Sequence, residues 1–174
     1  HVADISLTNL APQNIAIAFE TANTITPMEH DYLKENSLNR HLPGRLESVE
    51  YSGAKFVLDV AHNPPGVNFL LAQLKLRSYH VEAVVCGMLV NKEHSAVWQE
   101  MEALHEVPWF ILGTEGERGY PNQLLVENFS DSCIPVETVE EAVTLAVKES
   151  SSIGIVLVFG SFNIVERVGD YLAV

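Results

Sequence analysis

Positive charge is scarce in this chain. Ten Lys and Arg residues face 23 Asp and Glu, a formal net charge of −13 over 174 residues. A field of that sign repels phosphate backbones and anionic lipid surfaces, so nucleic acid and membranes are poor partners. Long hydrophobic runs are missing as well. The longest aliphatic stretch, residues 155–159, falls far short of the ~20 residues that span a bilayer. No apolar h-region of a secretory signal lies at the N-terminus. Cysteine is limited to Cys86 and Cys133, each inside an apolar run. That setting suits buried, inert thiols rather than a disulfide or redox pair, and a reducing cytoplasm is the expected compartment. The seven histidines are scattered, with no C-x-x-C or H-E-x-x-H, so no metal-ligand spacing is present. The phosphate-binding patterns G-x-x-x-x-G-K-[ST] and G-x-G-x-x-G are also missing. The first residue is His1 rather than Met, which points to a processed chain or a piece of a longer one.

What remains is ample material for a core. Hydrophobic residues make up 47% of the chain and charged residues only 19%, which excludes intrinsic disorder. From Pro12, the positions Ile15, Ala18, Phe19, Ala22 and Ile25 fall at helical spacing. Thr26-Pro27-Met28-Glu29 reads as a capping box opening a second short helix. After the Leu42-Pro43-Gly44-Arg45 loop the period changes. Residues 46–51 and 55–60, around a Ser52-Gly53 turn, read as a β-hairpin, whose strands must be antiparallel. Further β-branched runs begin near 81, 107, 133 and 153, separated by helical patterns over 66–77, 94–105, 121–129, 138–148 and 162–172. Thr138 and Glu141 form another capping box. Strand–helix alternation with strands apolar on both faces predicts an α/β fold of three layers. Its sheet is mostly parallel, with one antiparallel hairpin strand and helices on both faces. The expected organisation is one domain, with a helical lead-in over 1–45 and the α/β sheet core over 46–174.

Open α/β sheets gather ligands outside the carboxyl ends of their strands, which directs attention to particular loops. Asp59-Val60-Ala61-His62-Asn63-Pro64 puts a carboxylate and an imidazole at one strand end, although Asp59 and Asn63 could simply cap the next helix. Gly160-Ser161-Phe162-Asn163 puts a hydroxyl at a helix N-terminus, suited to an anion or to plain capping. A serine hydrolase is disfavoured, because Asn163 stands where the second glycine of G-x-S-x-G belongs. Arg118, in a glycine-rich loop, and Lys92 read as solvated loop cations by default, with Arg118 as a candidate anion clamp.

These segments occur in a telling order: Leu42-Pro43-Gly44-Arg45, the Asp59 to Pro64 element, Gly87-Met88-Leu89 with Lys92, Arg118-Gly119, and Phe159-Gly160-Ser161-Phe162. The series resembles the C-terminal domain of bacterial folylpolyglutamate synthase/dihydrofolate synthase, a member of the Mur ligase superfamily. The D-x-A-H-N-P element paired with an upstream L-P-G-R is its most specific part, and Pro12-Gln13-Asn14-Ile15-Ala16 fits the family's opening helix. The resemblance implies a Rossmann-like Mur ligase C-terminal domain from an ADP-forming ligase of folate biosynthesis. In that chemistry ATP and Mg2+ convert a folate or dihydropteroate carboxylate into an acyl phosphate, which the amine of L-glutamate attacks. It implies ATP contacts at Asn14, Arg45 and Asp59, glutamate contacts at His62 and Ser161, and no catalytic or metal residue in this domain. It also implies an N-terminal ATPase domain of the same polypeptide that holds the triphosphate and the metal, so the isolated domain is expected to be inactive. Two other readings stand beside it: another Mur-type ligase, acting on a peptidoglycan precursor or cyanophycin, and a non-catalytic nucleotide-binding module.

Overall fold

The computed structural model describes residues 43–173. The helices expected before residue 42, and Asn14 with them, lie outside the described residues. The expected hairpin is present, with β1 (Glu47–Tyr51) antiparallel to β2 (Ala54–Asp59). The chain then alternates through α1 (Pro64–Leu76), β3 (Val81–Cys86), α2 (His94–Glu100), β4 (Trp109–Leu112), α3 (Asn122–Asn128), β5 (Ile134–Val136), α4 (Val139–Glu149), β6 (Ile155–Phe159) and α5 (Phe162–Leu172). The six strands form one sheet in the order β1-β2-β6-β3-β4-β5. Every pairing except β1 with β2 is parallel.

The two faces of the sheet are sorted by the period of two along each strand. Val57, Val84, Trp109, Ile111 and Leu157 turn to one face, where they meet Leu70 and Leu74 of α1, Val97 of α2 and Leu125 of α3. Phe56, Leu58, Val85, Phe110 and Val158 turn to the other, against Val143 of α4 and Ile164, Val165 and Val168 of α5. All five residues of β6 are buried, as a strand covered by helices on both sides requires. Burying each such side chain stabilises the fold by roughly 1.5–3 kcal/mol. Both cysteines sit in the first core as free thiols. Burial raises Cys133 to about 11 and Cys86 well above its ordinary value, so neither is a ready nucleophile.

Local signals set the helix limits. The Asn63 side chain accepts from Gly66 N, and two prolines open α1, where a missing N–H costs nothing. Thr138 accepts from Glu141 N at 3.1 Å, while Glu141 reaches back to Glu137 N at 2.9 Å, a capping box displaced by one residue. The helix expected over 94–105 is shorter than its pattern. The Met101 N–H is shared between the Val97 and Trp98 carbonyls, and the chain tightens into a 3-10 turn over Glu102–Leu104. Tertiary contacts hold that turn: Trp109 Nε1 donates to Leu104 O, and His105 stacks on Trp98 at 3.7 Å. Among the described residues, no helix is long and apolar enough to cross a membrane.

Candidate functional site

The carboxyl ends of β2, β6, β3 and β4 lie side by side, and their loops border a half-open cavity of about 570 Å3. His62 follows β2, Ser161 and the first turn of α5 follow β6, Leu89 and Lys92 follow β3, and Glu115, Glu117 and Arg118 follow β4. His62 and Ser161 meet there because β6 inserts directly beside β2, with Asp59 in register with Phe159.

Each wall is anchored by a short list of hydrogen bonds. Ser161 is buried; its hydroxyl donates to Gly87 O at 2.9 Å and accepts from Ile164 N at 3.3 Å. One side chain thus caps α5 and ties the ends of β6 and β3 together. The tie demands close backbone approach. Gly160 has φ +116°, and a Cβ there would stand 2.7 Å from Gly87 O. The hydroxyl proton of Ser161 is therefore already used within the protein.

His62 Nδ1 lies 2.8 Å from Val60 O. A carbonyl can only accept, so Nδ1 carries the proton, and Nε2 is the ring nitrogen left for the cavity. On the next loops, Thr114 is buried and donates to Met88 O at 3.0 Å while accepting from Tyr120 N at 2.9 Å. His94 Nε2 pairs with Leu89 O at 2.8 Å and its ring stacks on Tyr120. Among the described residues, no buried side-chain nitrogen or oxygen lacks a hydrogen-bond partner.

Asp59 and Arg45 form a neighbouring feature, not part of the cavity lining. The turn carrying Arg45 is hooked onto the end of β2, with Val60 N donating to Gly44 O at 2.9 Å. Asp59 Oδ2 accepts from Leu46 N at 3.0 Å and Oδ1 from Ala61 N at 2.8 Å. Leu46 takes a left-handed φ of 49° to deliver its N–H, a conformation a branched residue adopts only when its surroundings impose it. Burial pushes the Asp59 carboxyl above its ordinary value; the Ala61 and Leu46 N–H groups and the Arg45 charge oppose this without cancelling it. Asp59 is thus a staple for the Arg45 turn rather than a helix cap, while Asn63 does cap α1.

Lys92, half-buried, and Arg118, exposed, both line the cavity. Each follows a strand, β3 and β4 respectively, so the rule that singled out the Asp59 and Ser161 loops covers them too. Their charges are accompanied by Glu115 and Glu117, of which Glu115 is paired with Arg167 at 3.3 Å. No group of three or more His, Cys, Asp or Glu side chains converges as a metal cage among the described residues.

The family described as "Mur ligase, glutamate ligase domain" matches residues 44–162. Among curated proteins, folylpolyglutamate synthase of Lacticaseibacillus casei is 29% identical over 104 residues, covering 57% of this chain and 24% of that protein. Among solved structures, bifunctional folylpolyglutamate synthase/dihydrofolate synthase from Yersinia pestis, complexed with AMPPNP and Mn ion, is 27% identical with a TM-score of 0.78. That likeness covers 96% of this chain and 40% of the other. A structure of a bifunctional enzyme of the same name, with Mn, AMPPNP and L-glutamate bound, is 26% identical with a TM-score of 0.70, over 85% of this chain and 36% of the other. The chain spans well under half the length of each of these proteins. The motif order, the strand order and the match from Gly44 to Phe162 agree, and the chain belongs to the Mur ligase family through its glutamate ligase domain.

Proposed function

We propose that this chain is the C-terminal domain of an ATP-dependent ligase that adds L-glutamate to folate or dihydropteroate, and that the cavity is its glutamate pocket. The observation that carries this is the charge set of the cavity. Two cations, Lys92 and Arg118, come from separate loops; Glu117 stands among them, and Glu115 is neutralised by Arg167. A dicarboxylic amino acid presents the complementary set, two carboxylates and one ammonium, and separated cations can engage both carboxylates. The first turn of α5 adds N–H groups with no intrahelical acceptor, which favour an anion. Ser161 serves the substrate by holding that turn in place, since its own proton goes to Gly87 O. His62 offers Nε2, which in the neutral ring accepts a hydrogen bond and so suits the amine end of the substrate.

The relatives bound to AMPPNP and Mn ion support a nucleotide beside this pocket. In this reading Arg45 neutralises phosphate oxygens and Asp59 fixes the turn that carries it; Asn14, the third ATP contact proposed, lies outside the described residues. ATP supplies the phosphoryl group that activates the folate carboxylate; the glutamate amine then displaces phosphate, forming the amide. In the same reading the phosphate cradle and the Mg2+ ligands are assigned to an N-terminal ATPase domain of the same polypeptide, which the chain's span of 40% of the Yersinia pestis enzyme supports. Phosphoryl transfer depends almost wholly on positioning and charge neutralisation, so this domain alone turns over nothing.

The test is glutamate ligation by the full-length protein with ATP and dihydropteroate or folate, against a muropeptide acceptor. Arg118→Ala is expected to raise the KM for glutamate, and Arg45→Ala that for ATP. Each effect should be about ten- to a hundredfold, from the loss of charge-assisted contacts. Muropeptide ligation without folate ligation would move the protein to another Mur branch, and wild-type constants in Arg118→Ala would remove the pocket assignment.

A further inference from the structure

The loop between β4 and α3 supplies Glu115, Gly116, Glu117 and Arg118 to the cavity, and Thr114 Oγ1 ties its root to Met88 O at 3.0 Å. Its neck is closed by Thr114 N to Tyr120 O at 3.0 Å, and inside it Gly119 N donates to Gly116 O at 2.9 Å. On one side Val90 N donates to Arg118 O at 3.1 Å, which joins it to the β3 loop. On the other side the link to α5 runs through side chains. Arg167 Nη1 donates to Gly113 O at 2.9 Å, its Nη2 pairs with Glu115 at 3.3 Å, and Glu115 N donates to Asn163 Oδ1 at 3.4 Å.

We propose that Arg167 is a positioning residue of the pocket: its guanidinium braces the 113–120 loop against α5 and so sets Arg118 opposite the Ser161 end of that helix. The physical case rests on the fork. A guanidinium can hold a carbonyl at the root of the loop and a carboxylate two residues on at the same time, with fixed geometry between them; an ammonium is a single point charge. Arg167 is partly exposed and lies outside both apolar cores, so its removal opens no cavity in them. The same contact neutralises Glu115, which would otherwise add a free carboxylate to a pocket built for anions.

The part of this inference that concerns substrate rests on the glutamate pocket proposed above; the brace itself does not. The experiment uses the full-length protein with Arg167→Ala and Arg167→Lys, read by steady-state kinetics and by amide hydrogen exchange. Arg167→Ala is expected to raise the KM for glutamate about tenfold while kcat stays within about twofold, with Arg167→Lys falling between it and wild type. Exchange at residues 115–119 should quicken in step, while the amides of β2, β3 and β6 keep their protection. Unchanged loop exchange in Arg167→Ala would overturn the brace, as would faster exchange across the whole sheet, which marks a merely structural role. Faster loop exchange with an unaltered KM for glutamate would overturn the positioning role. If the wild-type protein ligates no glutamate, the functional reading fails, and the exchange result decides the brace by itself.

Discussion

The two ends of the sheet are built differently. At the carboxyl ends of the strands, buried polar groups bind backbone from other loops: Ser161 to Gly87 O, Thr114 to Met88 O, and Asp59 to Leu46 N. Backbone also meets backbone closely there, since a Cβ on Gly87 would lie 2.5 Å from Leu112 O. At the amino ends, beside the bond from the buried Trp109 ring to Leu104 O, the tie between the entries of β3 and β6 is made by flexible side chains at the surface. Glu82 accepts from the Ser151 hydroxyl at 2.7 Å and also from its backbone N–H. The three atoms nearest to a Cβ on Gly154 all belong to the side chain of that same Glu82. Connections at the amino end need only close the chain, whereas those at the carboxyl end must hold loops to fixed positions around a cavity. The contrast agrees with the pocket proposed at the carboxyl end.

The sharpest way to break the contrast is to add one methyl group at each end. Gly87→Ala forces its Cβ against Leu112 O and Ile164 in a region with no slack, and a loss of about 3 kcal/mol is expected. Gly53→Ala, in the hairpin turn at φ +82°, meets no atom within 4 Å. Its cost is the left-handed backbone alone, about 1–2 kcal/mol. Urea unfolding of both variants measures the difference; equal losses would show that the two ends are equally tight.

A smaller effect is expected from Ser161→Ala. It removes the α5 cap and leaves Gly87 O without its donor, together about 2 kcal/mol of stability. Because the same hydroxyl sets the helix end at the cavity, the KM for glutamate should rise while that for ATP holds. A stability loss without any kinetic change would return Ser161 to a plain helix cap.

Much of this arrangement was legible in the sequence, for reasons that can be stated. The hairpin, the strand beginning at Val81 and the helix over 162–172 matched because periodicity and caps there agree with the tertiary fold. The strands at Trp109 and Ile155 start slightly later than their apolar patterns, as tertiary pairing rather than hydrophobicity sets where a ladder begins. The insertion of β6 between β2 and β3 is a long-range pairing that no local pattern encodes, and it alone brings His62 and Ser161 together. Lys92 and Arg118 read as solvated loop cations because a loop cation looks the same in sequence whether it faces a cavity or bulk water. Arg167 gave no signal at all, since its role depends on a loop more than forty residues earlier in the chain.

The smallest expected effect concerns two carboxylates, one at each end of the sheet, whose titrations are displaced in opposite directions. Burial raises Asp59, so the folded chain keeps that proton to a higher pH than the unfolded chain does. Its contribution to stability is therefore greatest below the ordinary aspartate value, falls as pH rises through the folded value, and is constant above it. Glu82 behaves in the reverse sense. The N–H and hydroxyl of Ser151 hold its carboxylate below the ordinary range, so its contribution is complete above the unfolded glutamate value and is lost as pH falls through the folded one. Glu82 is half-buried, and water screens part of what it gains. Carboxyl carbon NMR titration of both residues, with urea unfolding between about pH 3 and 7, reads the two signs directly. Glu82→Gln should flatten the acid-side loss, whereas Asp59→Asn should remove the decline on the way up; a shift of Asp59 below its ordinary value would show that its two N–H donors and Arg45 outweigh burial, and that the staple at the site end works as a charged one.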